Sequence, residues 1–347
     1  MSQNKTVLVA MSGGVDSSVA AYLLQAQGYT CAGATMLLHQ TESDVADARQ
    51  VAENMRIPFY AFDATAQFRA QVMDKFVSIY ESGATPNPCI DCNRNLKFGF
   101  FLEKALELGF SYIATGHYAQ VRQEGDRYLL CKAPDATKDQ SYFLACLNQN
   151  QLRHVKFPLG RLTKEETRRI AQEQGFLNAR KKDSQDICFV PDGDYLAFLT
   201  QYTGRSYPEG AFLDMVGNVV GKHSGAVGYT LGQRKGLGIA MGEPVYVCAK
   251  DMTANTVTVG PNQALFHKTL MATDWVWYPF PTLTQPIRCH AKTRSRQIEQ
   301  PATVYPAADG SARVEFDEPQ RAITPGQAVV LYDGDTVIGG GTISQVI

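Results

Sequence analysis

Three short segments carry the residue types that could do chemistry. SGGVDSS at residues 12–18 combines glycines, hydroxyls and an acid, while TPNPCIDCN at residues 85–93 and DSQDICF at residues 183–189 supply three of the eight cysteines. Small residues and hydroxyls at a turn suit phosphate binding, whereas cysteines suit nucleophilic attack, metal binding or disulfide exchange. The sequence therefore indicates a protein that combines phosphate chemistry with sulfur chemistry.

The first segment follows an apolar stretch and precedes a helical pattern, a position that favours a phosphate-binding loop. Gly13 and Gly14 would let the backbone approach a ligand, and N–H groups at a helix N-terminus attract anions. Asp16 could hold a magnesium ion. No Gly-Lys-Ser/Thr follows, which excludes a Walker A loop, and the spacing excludes a dinucleotide fingerprint. A plain strand–turn–helix capped by Asp16 or Ser17 is the alternative.

The cysteines differ in their surroundings. Cys89 and Cys92 form a Cys-x-x-Cys pair in a segment whose two prolines and two asparagines predict a rigid loop. A structural zinc site would need a second pair, and the sequence contains none. Cys188 follows the basic residues 180–182, which would favour its thiolate if they lie close in space. The others are expected to be small core residues: Cys31, Cys131, Cys146, Cys248 and Cys289.

Alternating strands and helices must position these segments in the first half of the chain. We expect strands at residues 7–11, 32–38, 59–62 and 112–114, and helices at residues 17–27, 43–55, 65–80 and 98–108. Such alternation predicts a parallel sheet with crossover helices.

Short strands replace the helices after about residue 200, where glycine and proline become frequent. We expect strands at residues 245–249, 256–259, 302–305, 313–316, 328–332 and 336–338, bounded by turn residues. These strands predict small β domains, one of them a barrel. We predict three domains, at residues 1–200, 201–265 and 266–347.

The composition restricts the class of protein. The 347 residues are 44% hydrophobic and 19% charged, with a formal net charge of −1, which argues against a protein that coats nucleic acid indiscriminately. No apolar run reaches the roughly 18 residues that a membrane-spanning helix needs. The polar start shows no signal peptide, so we expect a cytoplasmic protein.

Further motifs make a family resemblance specific. TGHY at residues 115–118, KDQSYF at residues 138–143 and GYTLGQRKGLG at residues 228–238 accompany the three segments above. In this order the motifs resemble the tRNA-specific 2-thiouridylases, members of the PP-loop ATP pyrophosphatase superfamily. The resemblance covers nearly the whole chain. It implies an α/β fold, with an N-terminal PP-loop sheet of the Rossmann-like, adenine nucleotide α-hydrolase type, a small β-rich central domain and a C-terminal β-barrel that contacts tRNA.

The resemblance also implies roles for individual residues. Those expected to bind ATP are Ala10, Met11, Ser12, Gly13, Gly14, Val15, Asp16, Ser17, Met36 and Gly116. Those expected at the target base are Asn87, Pro88 and Cys89. Those expected to contact tRNA are His117, Lys138, Asp139, Gln140, Arg294, Ser295 and Gln327. Cys92 matches the family's nucleophile and Cys188 its persulfide-carrying cysteine.

Residues 292–296, KTRSR, add support from the sequence itself. In an extended strand Lys292, Arg294 and Arg296 would share one face, and three like charges repel unless an anion covers them. A solvated strand edge protected by charge is the alternative interpretation.

Cys89 leaves two sulfur mechanisms open, because many relatives carry aspartate at this position. Cys89, Cys92 and Cys188 could be ligands of a [4Fe–4S] cluster whose open iron position holds an extra sulfide. In the competing hypothesis no metal takes part, and Cys92 releases sulfur from a Cys188 persulfide through a disulfide.

The implied activity is ATP-dependent 2-thiolation of the wobble uridine of tRNA, through an adenylated uridine, with release of pyrophosphate and AMP. Implied partners are ATP, Mg²⁺, tRNAs for glutamate, glutamine and lysine, and a sulfur donor such as a cysteine desulfurase or a relay protein. We expect a monomer that does not bind membranes. Two alternatives are a different PP-loop enzyme, such as an amidotransferase or an argininosuccinate-type ligase, and a non-catalytic RNA-binding protein. Neither needs all three segments.

Overall fold

The computed structural model describes residues 5–38, 42–176, 178–179, 187–190 and 193–347. Residues 180–182, and residues 183–186 of the DSQDICF segment, lie outside this description. The strands are β1 (Thr6–Ala10), β2 (Thr30–Leu37), β3 (Phe59–Asp63), β4 (Tyr112–Ala114), β5 (Gln120–Glu124), β6 (Arg127–Cys131), β7 (Val155–Lys156), β8 (Gly210–Leu213), β9 (Val219–His223), β10 (Tyr246–Asp251), β11 (Thr256–Gly260), β12 (Phe266–Trp277), β13 (Ile287–Lys292), β14 (Gln300–Pro306), β15 (Ala312–Arg321), β16 (Ala328–Asp333) and β17 (Thr336–Val346).

The helices are α1 (Val15–Ala26), α2 (Glu42–Asn54), α3 (Thr65–Phe68), α4 (Asp74–Glu81), α5 (Pro88–Asp91), α6 (Phe101–Glu107), α7 (Ser141–Leu144), α8 (Gln149–Arg153), α9 (Lys164–Glu173) and α10 (Tyr195–Thr203). Two π-helical stretches, Arg69–Met73 and Cys92–Phe100, join α3 to α4 and α5 to α6. Each pair therefore forms one continuous helix with a wide turn inside it.

The predicted parallel sheet is confirmed, with strand order β3-β2-β1-β4-β7. The central strand is buried on both faces because Val7, Leu8 and Val9 are fully inaccessible, as a covered parallel sheet requires. Since β2 and β3 lie on one side of β1 and β4 on the other, the chain reverses its order beside β1. A crevice at the carboxyl ends of such strands is where open α/β sheets bind ligands.

The segment that carries Cys89 and Cys92 is helical, so the predicted loop is wrong from Pro88 onward. Pro88 occupies the first helical position, where its missing N–H costs nothing and its fixed φ favours the helix. Pro88 therefore starts this helix instead of preventing it.

The second half is β-rich, as predicted. Strands β8 to β11 form a four-stranded sheet, and β12 to β17 form a closed barrel in the order β12-β15-β14-β13-β16-β17, with β17 pairing again with β12. The hairpin β5–β6 extends the barrel's sheet, since Cys131 pairs with Thr336. No helix in the described part of the chain is long and apolar enough to cross a membrane.

The predicted strand through residues 292–296 is wrong. Strand β13 ends at Lys292, and the next residues turn, with the Gln297 N–H donating to the Arg294 carbonyl. The buried Thr293 stabilises the turn by donating its N–H and hydroxyl to Gln297 Oε1. The three cations therefore do not share one face of a strand.

Candidate active site

The phosphate loop is a helix start that no side chain caps. Gly14 is the N-cap of α1 and accepts hydrogen bonds on its carbonyl from the Ser17 and Ser18 hydroxyls, at 3.1 and 3.0 Å. A cap by Asp16 or Ser17 is therefore not what the structure shows. The N–H groups of the first turn of α1 stay available to an anion.

The two glycines of the loop serve different ends. Gly13 has φ +67°, and a Cβ there would lie 2.7 Å from Asp47 Cβ, so the fold itself demands glycine. Gly14 has an ordinary φ of −90°, and in the described part of the chain only Ser12 Oγ lies within 4 Å of where its Cβ would be. Because no other atom crowds Gly14, the absence of a side chain there leaves room for a ligand to approach the backbone.

The carboxyl edge of the sheet brings several predicted ATP residues together. Ala10 ends β1 beside Ala34, two residues before Met36 on β2. Gly116 follows β4 on the other side, and a Cβ on Gly116 would lie 2.8 Å from the Asp16 carbonyl carbon and 2.9 Å from the Ser17 nitrogen. Met11 and Val15 are buried, so their side chains pack in the core.

Asp16 has protein partners on its carboxylate. Lys164 Nζ donates to both oxygens at 2.8 Å, and the Tyr118 hydroxyl donates at 2.9 Å. The carboxylate that was expected to hold magnesium is thus held by a lysine and a tyrosine. Asn178 fixes the far side of the loop by donating to the Gly13 carbonyl and to Ser18 Oγ, both at 3.0 Å.

Cys92 and the two neighbours of Cys188 belong to the same hydrophobic cluster. Cys92 and Ile187 pack against its core, and so does Met36 from the carboxyl edge of the sheet, where the predicted ATP residues meet and which we call the nucleotide edge. Phe189, next to Cys188, is buried there, with its ring 5.6 Å from that of Phe68. The cluster therefore anchors the cysteine segment beside the helix that carries Cys92.

The electrostatics place Cys188 close to both thiols of the helix. Burial, with smaller contributions from the neighbouring Cys92 and Cys89, raises the pKa of Cys188 to about 11. Burial likewise raises the pKa of Cys89 and of Cys92. Cys89 and Cys188 are nevertheless exposed and Cys92 partly so. The three thiols are thus accessible to solvent but surrounded by enough protein to be partly desolvated, as in a cleft. We call this region, formed by Cys89, Cys92 and Cys188, the thiol cleft.

Lys97 is the residue of this cleft that the sequence did not single out. Its charge lowers the pKa of all three thiols, which places the ammonium near them. Burial lowers the pKa of His117 well below its usual value, and Lys97 lowers it further, so His117 stays neutral. Lys97 follows Cys92 by five residues, a spacing that the π-helical turn brings onto one side of the helix.

No group of three or more His, Cys, Asp or Glu residues is arranged to hold a metal ion anywhere in the described ranges. The assignment of Cys89, Cys92 and Cys188 as ligands of a [4Fe–4S] cluster stays a prediction. Of the other cysteines, four are buried as predicted, namely Cys31, Cys131, Cys146 and Cys289, and Cys248 is partly exposed.

Several predicted tRNA residues brace the site's backbone. Gln140 and Tyr118 exchange two hydrogen bonds of 2.9 Å, and Asp139 accepts from the Ala133 N–H at 3.0 Å. His117 Nδ1 lies 2.7 Å from the Thr115 hydroxyl. Lys138 lies in the same turn and is half-buried.

The barrel holds the loop that leads into α5. Gln327 Nε2 donates to the carbonyls of Thr85 and Pro86 at 3.0 and 2.9 Å. Arg294 donates to the Ala322 carbonyl at 3.1 Å and to Thr324 Oγ1 at 2.8 Å, and Ser295 beside it is half-buried. The barrel thus positions the segment that carries Asn87 and Cys89.

Comparison with known families matches the three structural regions separately. The family model described as tRNA methyl transferase HUP domain matches residues 5–192, more than half of the chain. The tRNA methyl transferase PRC-barrel domain matches residues 196–261, and the aminomethyltransferase β-barrel domain matches residues 267–343.

Full-length relatives share one name. The tRNA-specific 2-thiouridylase MnmA of Symbiobacterium thermophilum is 48% identical over 362 residues, covering 99% of this chain and 93% of the relative. That of Clostridioides difficile is 45% identical over 359 residues, covering 99% of this chain and 99% of the relative. That of Treponema denticola is 48% identical over 359 residues, covering 98% of this chain and 98% of the relative. The chain belongs to the tRNA-specific 2-thiouridylase family.

Proposed function

We propose that this protein replaces O2 of the wobble uridine of tRNA with sulfur and consumes ATP in doing so. The observation that carries the proposal is the shared cluster that Met36 of the nucleotide edge, Cys92 and the Cys188 segment all pack against. This shared packing supports a reaction that joins ATP chemistry to sulfur transfer. tRNAs for glutamate, glutamine and lysine are the proposed substrates.

The first step activates a poor electrophile. The uridine O2 attacks the α-phosphate of ATP, the bond to the β-phosphate breaks, and pyrophosphate leaves. The first-turn N–H groups of α1 stabilise the charge that develops on the phosphates, and the Ser17 hydroxyl joins them by turning away from the Gly14 carbonyl. Mg²⁺ entering with ATP would supply further neutralisation of that charge.

The second step moves the sulfur. The terminal sulfur of a Cys188 persulfide attacks C2 of the adenylated uridine, and AMP leaves with the former O2. The Cys92 thiolate then attacks Cys188 Sγ, which forms a Cys92–Cys188 disulfide and releases the 2-thiouridine. A thiol reductant restores both cysteines, and a sulfur donor such as a cysteine desulfurase or relay protein reloads Cys188. Lys97 lies where it would stabilise the thiolates of this exchange.

The persulfide route needs no metal, and the described residues do not group as cluster ligands. We therefore route no step through a [4Fe–4S] cluster. Anaerobic iron and sulfide analysis tests this choice, because a preparation that gains activity in proportion to bound iron would overturn it.

The target base must enter an open cleft. Cys89 and Cys188 are exposed, so an unstacked uridine would meet them from solvent. Asn87 and Pro88 begin the helix at this position, and we propose that they and Cys89 line the base's binding place. Lys138, Arg294 and Ser295 are proposed tRNA contacts.

Nucleoside mass spectrometry tests the function. Unmodified tRNA for glutamate is incubated with the protein, ATP, magnesium and a persulfide source, and the digest is searched for 2-thiouridine. The product should vanish with Cys188→Ser, with Cys92→Ser, and with an ATP analogue that cannot be cleaved between its α and β phosphates. Cys248→Ser serves as the matched control, because Cys248 lies in β10 of the four-stranded sheet formed by β8 to β11. Methylated uridine without 2-thiouridine would instead favour methyl transfer and reject the proposal.

A further inference from the structure

Lys164 forms an ion pair inside the phosphate site that no motif indicated. Its Nζ bonds both carboxylate oxygens of Asp16 at 2.8 Å, across 148 residues of sequence. The Lys164 side chain is 9% exposed, whereas that of Asp16 is 31% exposed. The lysine therefore lies behind the aspartate, on the protein side of the loop.

The start of α9 fixes the position of this lysine. Thr163 and Glu166 form a capping box, in which each side chain accepts from the other's backbone N–H. The Lys164 N–H donates to Asp135 Oδ2 at 3.1 Å. The Tyr118 hydroxyl, which donates to Asp16, also lies 3.0 Å from the hydroxyl of the buried Thr167, so α9 and the loop share this tyrosine. Because the start of α9 is fixed by these contacts, the Lys164 ammonium holds the Asp16 carboxylate in place.

The negative charge of Asp16 lies close to the place where the negatively charged phosphates would bind. Its carboxylate lies in the first turn of α1, directly after the backbone that would receive the phosphates. An uncompensated carboxylate there would repel a triphosphate, because like charges at short range and low solvent exposure are weakly screened. The lysine and tyrosine supply the compensation, and Gly116, packed on the backbone of Asp16 and Ser17, closes the other side.

We propose that Lys164 is a positioning residue of the nucleotide site, which neutralises Asp16 and holds the first turn of α1 ready for phosphate. It acts through Asp16 and does not touch the phosphates. The inference rests on the proposed binding of ATP to this loop.

Calorimetric titration of the full-length protein with ATP and magnesium, without tRNA, tests the inference. Lys164→Gln should weaken ATP binding by at least about tenfold, because it leaves a partly buried charge unpaired. The double variant Asp16→Asn with Lys164→Gln should recover most of that loss, because no charge is left to compensate. Lys164→Arg should keep most of the affinity. Lys104→Gln, which breaks a surface ion pair with Glu107, is the matched control and should change nothing.

The outcomes separate the possible roles. If the double variant binds ATP no better than Lys164→Gln, the lysine acts on the phosphates directly and the inference is wrong. If Lys164→Gln binds ATP like the wild type, Lys164 has no role in the site. Thermal unfolding of each variant shows whether it folds. Failure of the wild type itself to bind ATP would reject the proposed function instead.

Discussion

The nucleotide edge and the thiol cleft are neighbours built in opposite ways. At the nucleotide edge, distant segments hold the loop on every side: Tyr118 and Lys164 hold Asp16, Asn178 bonds the Gly13 carbonyl, and Gly116 packs on its backbone. At the thiol cleft, Cys89 and Cys188 are exposed, and their walls raise the pKa of each thiol.

The difference follows from what each region must admit. ATP is a small ligand whose reaction depends on exact placement, so a preformed cradle suits it. Sulfur arrives from another molecule and leaves on a base that is part of a tRNA, so its carrier must be reachable. A rigid phosphate site beside an accessible sulfur site is therefore the arrangement that the proposed reaction needs.

The largest effect is expected from a variant of the thiol cleft that should leave the nucleotide edge unaffected. Cys188→Ser should abolish 2-thiouridine formation while leaving ATP affinity unchanged, because the proposed role of this cysteine is to carry sulfur and not to bind phosphate. Nucleoside mass spectrometry and ATP titration of the same preparation measure the two quantities. Residual thiolation would show that Cys188 is not the sulfur carrier.

Gly116→Ala tests the nucleotide edge. The new Cβ would lie 2.8 to 2.9 Å from the backbone of Asp16 and Ser17, so the loop must move. We expect ATP affinity to fall on the order of a hundredfold, with the alkylation rates of the thiols unchanged. Gly28→Ala is the control, since its Cβ would meet no described atom within 4 Å and only its positive φ strains the chain. Normal ATP binding by Gly116→Ala would contradict a preformed cradle.

The pH dependence of alkylation tests the thiol cleft. The pKa of Cys188 is raised to about 11, so its thiolate is scarce at neutral pH and grows about tenfold per pH unit up to that value. The rate at which iodoacetamide labels Cys188, followed by peptide mass spectrometry, should rise accordingly. Lys97→Met should move this profile to still higher pH, because Lys97 favours the thiolate. A plateau reached below pH 8 would show that the cleft does not desolvate this thiol.

The smallest expected effect concerns the barrel. Gln327→Ala removes two hydrogen bonds to Thr85 and Pro86, each contributing about 1 kcal/mol. The loop before α5 should loosen, and thiolation should slow severalfold with no change in ATP affinity. Equal losses of thiolation rate and of ATP affinity would mean that the barrel supports the whole catalytic domain instead of this loop.

The parts that local sequence dictates could be predicted. A buried strand, two glycines and a helical pattern specify the strand–turn–helix around residues 12–18, and the alternation of strands and helices specifies the parallel sheet. Lys164 could not be found in this way, because only the packing of α9 against α1 brings it to Asp16. Lys97 was missed because its side of the helix depends on a π-helical turn, which no periodicity signals.

Two sequence interpretations failed for a shared reason. Prolines at residues 86 and 88 indicated a loop, and alternating cations at residues 292–296 indicated a strand. Pro88 instead begins a helix, and the buried Thr293 with Gln297 closes a turn. In both places one residue's position relative to an element's end decided the structure, and composition carries no information about that position.

A single-turnover experiment tests the central claim most directly. Protein loaded with one persulfide on Cys188 is mixed with ATP, magnesium and unmodified tRNA in the absence of reductant. 2-Thiouridine, AMP and the Cys92–Cys188 disulfide are then quantified together. We predict equal amounts of all three, with none of the 2-thiouridine formed when ATP is omitted. Formation of 2-thiouridine without AMP, or without the disulfide, would contradict the coupling of the nucleotide edge to the thiol cleft.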